Sequence, residues 1–214
     1  MLESLHMEIL GKLFGSNHII KILRLFLFNP NSNFEQADIV DRTKVPEEIV
    51  RVEKAMLERI GLIKKRSFFK EVERKKGKKI VIGKKRVQGW GLDLNFIYLP
   101  ALERFFVDTA TVDTVTFLKK LRKGGAPKLV IVSGFFMGDT DESHDRLDLL
   151  VVGDALNEKK MLPAIKDIEA EMGKEVRYAI FSTPDFKYRL DIRDRLVRDI
   201  LDYPHKIIID RIGL

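Results

Sequence analysis

The stretch from 62 to 99, LIKKRSFFKEVERKKGKKIVIGKKRVQGWGLDLNFIYL, combines the composition of β-strands with dense positive charge. Residues 64–86 hold twelve basic side chains and two acidic ones, a local net charge of +10. The whole chain carries +7, so the remaining residues sum to −3 and the basic character is local. The twelve are Lys64, Lys65, Arg66, Lys70, Arg74, Lys75, Lys76, Lys78, Lys79, Lys84, Lys85 and Arg86.

The apolar pattern of this stretch predicts strands around two turns, one at KKGKK (75–79) and one at IGKK (82–85). A solvated hairpin whose lysines keep an edge strand from aggregating is the simplest interpretation. Twelve cations within 23 residues exceed that need and favour a surface for a polyanion. We expect binding that is dominated by phosphate contacts and sensitive to salt, with duplex DNA as the partner and RNA as the alternative.

Three helices are predicted before the basic stretch. The first starts after Ser16, a suitable N-cap, and runs with apolar residues at helical spacing to the NPNSN segment at 29–33. The second fits FEQADIVDRTK (34–44), and the third begins with Pro46 at its first position and ends at Gly61. An earlier segment, 2–14, carries Leu2, Leu5, Ile9 and Leu13 on one face, an apolar stripe to bury against its own domain or a second copy.

Three helices with a tight turn between the second and third, followed by a basic β-hairpin, resemble a winged helix-turn-helix domain. In LFGSNHIIKILRLFLFNP and LERIGLIKKR the sequence is similar to regulators of the ArsR and MarR kind. The resemblance implies transcription regulation, contact with double-stranded DNA and a homodimer. It adds Arg51 and Lys54, on the third helix, to the twelve basic residues as candidate DNA contacts, although Glu47 and Glu48 at its start repel phosphates.

Composition excludes several classes of site. The chain has no cysteine, so disulfides, iron–sulfur clusters and thiolate zinc sites are ruled out. The four histidines are scattered without metal-ligand spacing, and we expect no metal site. The longest apolar run, IIKILRLFLF, is interrupted by Lys21 and Arg24 and is about half the roughly 20 residues of a membrane span. The N-terminus lacks signal-peptide features, and we expect a cytoplasmic protein with no membrane partner.

With 214 residues the chain can form two small domains, and PALERFFVDTATVDTVTF (100–117) has the composition of a closing helix and a connection. We place the boundary near residue 110, giving domains 1–110 and 111–214. The second half alternates strands with helices: strand KLVIVSG, loop FFMGDTDESH, strand RLDLLVVGD, a helix, strand EVRYAIFST, one helix over PDFKYRLDIRDRLVRDIL and strand HKIIID. The predicted fold class is α+β, with a small mixed sheet in this half.

Asp148 is a carboxylate inside the apolar strand RLDLLVV. Side chains alternate along a strand, so we expect Leu147, Leu149 and Val151 on one face and Asp148, with Arg146, on the other. Asp148 lies near the start of this strand, where it could reach solvent or a ligand.

The order SGFFMG followed by RLDLLVVGD resembles the nucleotidyltransferase domain of the DNA polymerase β superfamily over about residues 112–214. That family implies a Gly-Ser pair that grips the triphosphate, two aspartates spaced D-x-D and a third carboxylate, which together hold two metals. This chain has Ser133-Gly134 for Gly-Ser, Arg146 for the first aspartate and Arg177 for the third carboxylate, and only Asp148 matches. Guanidinium groups repel a metal, so the resemblance implies no catalytic residues here.

Three interpretations of this cluster remain. Asp148 could pair with Arg146 or Arg177 across the sheet, as a purely structural ion pair. The residues Ser133, Gly134, Arg146, Asp148 and Arg177 could bind a nucleotide or phosphate without a metal, or the domain could serve assembly. The favoured function is a DNA-binding regulator with a ligand-sensing or assembly domain and no cofactor. The alternative is a nucleotidyltransferase that uses Mg²⁺ and a nucleoside triphosphate on an acceptor held by the basic hairpin.

Overall fold

The computed structural model describes residues 9–76, 79–109, 114–139 and 146–214, with the backbone alone for 73–76 and 79–81. After a helical segment α1 at 9–14, the helices are α2 (Asn17–Leu27), α3 (Gln36–Thr43), α4 (Glu47–Arg59), α5 (Leu99–Asp108), α6 (Thr114–Leu121), α7 (Glu158–Met172), α8 (Thr183–Asp191) and α9 (Arg195–Asp202). The strands are β1 (Asn33–Phe34), β2 (Ile63–Lys76), β3 (Lys79–Leu92), β4 (Leu129–Ser133), β5 (Leu149–Val152), β6 (Tyr178–Phe181) and β7 (His205–Asp210). The prediction of an α+β chain is confirmed at this level.

The three helices before the basic stretch begin and end close to the predicted residues. The Ser16 hydroxyl accepts a hydrogen bond from the Ile19 amide and so caps α2. Gly61 follows α4 with a left-handed φ of 82° and ends it, as predicted. Pro46 is the N-cap of α4 instead of its first helical residue. In α1, Leu10 is buried while Ile9 and Leu13 are 51% and 68% exposed, so the predicted stripe is not the face that packs inward.

The basic stretch forms one long antiparallel hairpin. Strands β2 and β3 pair over 14 residues each, from Ile63 opposite Leu92 to Lys76 opposite Lys79, and β1 adds to the outer side of β3. At about 3.3 Å per residue each strand is about 45 Å long. The second predicted turn, at IGKK, is wrong, since Gly83 lies inside β3 opposite Val72. Flanking β-branched residues and paired backbones keep the strand continuous through this glycine.

The second half contains a mixed four-stranded sheet in the order β6-β5-β4-β7, with β5 and β6 parallel and the other pairs antiparallel. The helix predicted over 184–201 is two helices, because Arg193 adopts a left-handed φ of 54° between them. Asp194 caps the second helix through the Leu196 amide. A side chain that caps a new helix competes with continuation of the old one.

Two apolar clusters lie on the two faces of this sheet. The larger includes Leu149, Val151 and residues of α2, α4 and α7, and the smaller includes Leu147, Leu150, Phe186 and Val197. Leu147 therefore lies with Leu150, and the prediction that it shares a face with Leu149 is wrong. The strict alternation begins at Leu149, where β5 begins.

Helix α2 packs against the end of α7, which joins residues from both halves of the sequence. The Arg24 guanidinium is 1% exposed and donates to the carbonyls of Glu171 and Thr109 at 2.9 and 3.1 Å. The Asn29 amide donates to the carbonyls of Leu25 and Gly173, both at 2.7 Å. Burial lowers the pKa of Arg24 to about 10, which leaves the group charged at neutral pH.

Across the described ranges, every helix is too short or too polar to cross a membrane.

Candidate nucleic-acid interface and adjoining pocket

The outer part of the hairpin presents exposed cations on both of its faces. In the register of the hairpin, Arg86 lies opposite Phe69 and Lys85 lies opposite Lys70, so successive cations of β3 point to opposite faces. Arg66, Lys84, Lys85 and Arg86 are exposed. Arg86 also donates to the Ser67 hydroxyl at 2.8 Å, which orients its guanidinium. Phe69, on the face of Arg86, is 69% exposed, an aromatic side chain that we had assigned to packing.

Helix α4 lies beside the base of the hairpin and does not present all of its predicted contacts. The Lys54 ammonium is 3.4 Å from the centroid of the Trp90 ring and donates to the Gln36 side chain at 2.7 Å. Lys54 is 7% exposed and burial lowers its pKa, so it holds α4 against β3 and is not a phosphate contact. Arg51 is exposed and pairs with Glu47 at 3.7 Å.

Three lysines of the hairpin base serve partly as structural partners. Lys64 pairs with the buried carboxylate of Asp93 at 2.6 Å, and Lys65 pairs with Glu58 at 3.8 Å. The Lys70 ammonium donates to Asp38 and Glu35 at the start of α3, at 2.6 and 2.9 Å. These hydrogen bonds raise the pKa of Lys70. Acidic partners reduce the field that these lysines present to a polyanion.

The predicted contacts nearest the hairpin tip are Arg74, Lys75, Lys76, Lys78 and Lys79. Residue 78 and the side chains of the others lie outside the described part of the chain. Their role in DNA binding stays a prediction from the sequence.

Asp148 is fixed by backbone amides at the junction of three strands. Its Oδ1 accepts from the Phe135 amide at 3.0 Å and its Oδ2 from the Arg177 amide at 2.9 Å. Its own backbone bonds to the Arg177 carbonyl and the Ser133 amide at 2.7 and 2.8 Å. Asp148 therefore ties the ends of β4 and β6 to β5. The expected ion pair with Arg146 or Arg177 is not formed among the described residues, because the amides occupy both carboxylate oxygens.

Gly134 makes this arrangement geometrically accessible. Its φ of 54° is left-handed, and a Cβ at this position would lie 2.4 Å from Oδ1 of Asp148. Burial raises the pKa of Asp148, and the amide hydrogen bonds from Phe135 and Arg177 act in the opposite direction. The inverted Ser-Gly order thus places glycine where the carboxylate needs close approach of the backbone.

A cavity of about 200 Å³ opens beside Asp148, between α3 and the end of the four-stranded sheet. Seven charged residues line it, namely Arg42, Asp139, Arg146, Asp148, Lys174, Glu175 and Arg177. Arg42 forms an ion pair with Glu175, and Arg146 pairs with Asp139 at 3.5 Å. The Arg146 guanidinium stacks on the Tyr203 ring at 3.9 Å, which holds it in place.

Four of the five predicted ligand residues, Gly134, Arg146, Asp148 and Arg177, line this one cavity. Ser133 does not, because it is 3% exposed and its hydroxyl donates to the Pro204 carbonyl at 3.0 Å. The sequence analysis missed the cavity residues Arg42 and Lys174. They lie 132 residues apart, and no spacing in the sequence connects them.

In the part of the chain that the structure describes, no three histidine, aspartate or glutamate side chains are grouped so that they could hold a metal ion. No protein-family model, curated protein or solved structure matches this chain.

Proposed function

We propose that this chain is a DNA-binding transcriptional regulator whose basic hairpin contacts the phosphates of duplex DNA. The observation that carries the proposal is the 14-residue hairpin with exposed cations on both faces, anchored at its base to the helix pair α3–α4. A projecting ribbon of this kind can meet phosphates of both strands of a duplex.

The arrangement of elements supports a winged helix-turn-helix domain. Helices α2, α3 and α4 precede the hairpin, and the short strand β1, between α2 and α3, pairs with β3. In such a domain α4 would face the major groove. Its exposed side carries Arg51 and Val52, and the latter is 68% exposed. An arginine suits guanine and an apolar side chain suits the thymine methyl group.

The role of the second half is part of the proposal. We propose a nucleotidyltransferase-like domain over 111–214 that senses a ligand or mediates assembly, following the helix-turn-helix domain over 1–110. Asp148, which the alternative transfer reaction would need as a metal ligand, has both oxygens engaged by amides. That geometry favours the regulator over the enzyme. The exposed Ile9 and Leu13 of α1 support a homodimer.

The test is a comparison of two quadruple variants by fluorescence anisotropy with duplex DNA over a range of salt concentrations. The hairpin variant replaces Arg66, Lys84, Lys85 and Arg86 by glutamine. The control variant removes the same number of exposed cations elsewhere, by glutamine at Lys119, Lys123, Lys187 and Arg211.

Each phosphate contact contributes about 0.9 to the slope of log K against log salt. If all four hairpin cations contact phosphates, their replacement lowers the magnitude of this slope by about 3 to 4, while the control variant keeps the parent slope. Equal slopes for the hairpin variant and the parent would refute the proposal. Binding of single-stranded RNA in preference to duplex DNA would assign the hairpin to RNA instead.

A further inference from the structure

We propose that the cavity beside Asp148 binds a small phosphate-type anion without a metal ion, and that this anion replaces Glu175 as the partner of Arg42. Binding of the anion stands on the cavity alone. Its effect on DNA binding rests on the function proposed above.

The first support is the cation set. Arg42 and Arg146, Lys174 and Arg177 converge on one cavity of about 200 Å³, and they come from α3 and from the second half of the chain. Guanidinium groups bind phosphate oxygens through two parallel hydrogen bonds. The Arg146 side chain is 16% exposed and stacked on Tyr203, so its donors are oriented before any ligand arrives.

The second support is that the carboxylates which neutralise these cations are displaceable. The Glu175 side chain is 70% exposed and the Asp139 side chain is 36% exposed. Ion pairs near solvent contribute little, with measured values of about 0 to 1 kcal/mol. A doubly charged phosphate with several oxygens can therefore exchange with Glu175 at Arg42 and with Asp139 at Arg146.

Size and donor chemistry define the class of ligand. Pockets for drug-sized molecules span roughly 300 to 1,000 Å³, so a cavity of about 200 Å³ suits a phosphate with a small substituent better than a nucleoside triphosphate. Asp148 offers no free oxygen to a cation, because Phe135 and Arg177 amides bind both. The cavity thus presents cations to an anion without a metal between them.

The position of Arg42 connects the cavity to the proposed DNA-binding surface. Arg42 lies in the last turn of α3. The first turn of the same helix carries Asp38, which holds Lys70 of the hairpin, and Gln36, which accepts from Lys54 of α4. An anion that moves Arg42 away from Glu175 acts on a helix bonded to both elements, and by linkage DNA must alter the anion affinity by the same factor.

The test is isothermal titration calorimetry of the full chain, without DNA and with a chelator, using inorganic phosphate and glycerol 3-phosphate as probes. Arg146→Gln and Arg42→Gln each remove a charged donor and are expected to weaken binding about tenfold or more. Arg211→Gln removes an exposed arginine outside the cavity and is expected to leave the affinity unchanged. Glu175→Gln removes the internal competitor and is expected to tighten binding, a result that a merely structural role of Glu175 would not give.

The absence of binding by the parent chain would overturn the inference, as would equal affinities for the parent and both cavity variants. Binding of ATP only when Mg²⁺ is present would also overturn it, and would revive the transfer reaction. If one arginine variant fails to fold by circular dichroism, the other and Glu175→Gln decide the outcome. Anion binding is measured without DNA and DNA binding without the anion, so the two proposals can fail separately.

Discussion

Gly173 marks the tightest contact between α2 and the end of α7, and replacing it by alanine tests how firmly the two halves of the chain are joined. Its φ of 73° is left-handed, which costs an alanine about 1–2 kcal/mol. A Cβ at this residue would lie 2.5 Å from the Arg24 carbonyl carbon and 2.6 Å from the Leu25 amide nitrogen. Both atoms are backbone, so α2 has to move.

The chain provides a matched control in Gly61. Its φ is 82°, and a Cβ there would meet nothing within 4 Å. Gly61→Ala therefore carries the conformational cost alone, about 1–2 kcal/mol. Gly173→Ala adds an overpacking cost of about 1–3 kcal/mol, for a total loss of about 2–5 kcal/mol in the free energy of unfolding.

Urea denaturation followed by circular dichroism measures both variants against the parent. We expect a markedly lower midpoint for Gly173→Ala than for Gly61→Ala. Equal destabilisation of the two variants would refute the close packing of α2 on the end of α7. It would also remove the contact that places Arg42 beside the second half of the chain.

Three further changes are expected to alter stability, all measurable by denaturation. Asp148→Ala leaves the Phe135 and Arg177 amides without their acceptor and should cost about 1–3 kcal/mol for each, so an unchanged midpoint would contradict the role of this carboxylate as a connector of strands. Arg24→Met removes two hydrogen bonds to carbonyls and should cost about 2 kcal/mol or more, whereas a more stable variant would show that burial of the charge outweighs them. Hydrogen bonds from Lys128 and Thr183 lower the pKa of Asp154, so its stabilisation is present above about pH 4, the usual carboxyl pKa, and is lost as the pH falls. Asp154→Asn should therefore lower the melting temperature at neutral pH, with a difference from the parent that shrinks toward pH 3; a constant difference would contradict the linkage.

Local signals predicted the elements of the fold well where one residue decides the local backbone. Ser16 caps α2 and Gly61 ends α4 because these residues satisfy helix-end groups by their own chemistry. Gly83 was misleading, because a glycine permits a turn without requiring one and the paired strands extend past it. The break at Arg193 was missed because a capping aspartate inside a helical pattern also occurs on exposed helix faces.

The candidate site was only partly predictable, because it is made by tertiary contacts. The alternation of RLDLLVV placed Asp148 near a ligand surface, but it gave no sign that backbone amides, and not guanidinium groups, would take its oxygens. Lys54 was expected at the surface because lysine usually is, and the stacking on Trp90 that buries it is a long-range contact. Arg42 and Lys174 meet in the cavity only through the docking of α2 and α3 on α7.

The most direct test of the central claim is the affinity of the parent chain for duplex DNA, measured by fluorescence anisotropy between about 50 and 200 mM salt. Four phosphate contacts from the hairpin predict a fall in affinity of about two orders of magnitude over this fourfold range. A steep fall of this size is the result that the proposed basic hairpin requires. Affinity that is flat with salt, or no binding to the duplex, would contradict the assignment of the hairpin to DNA.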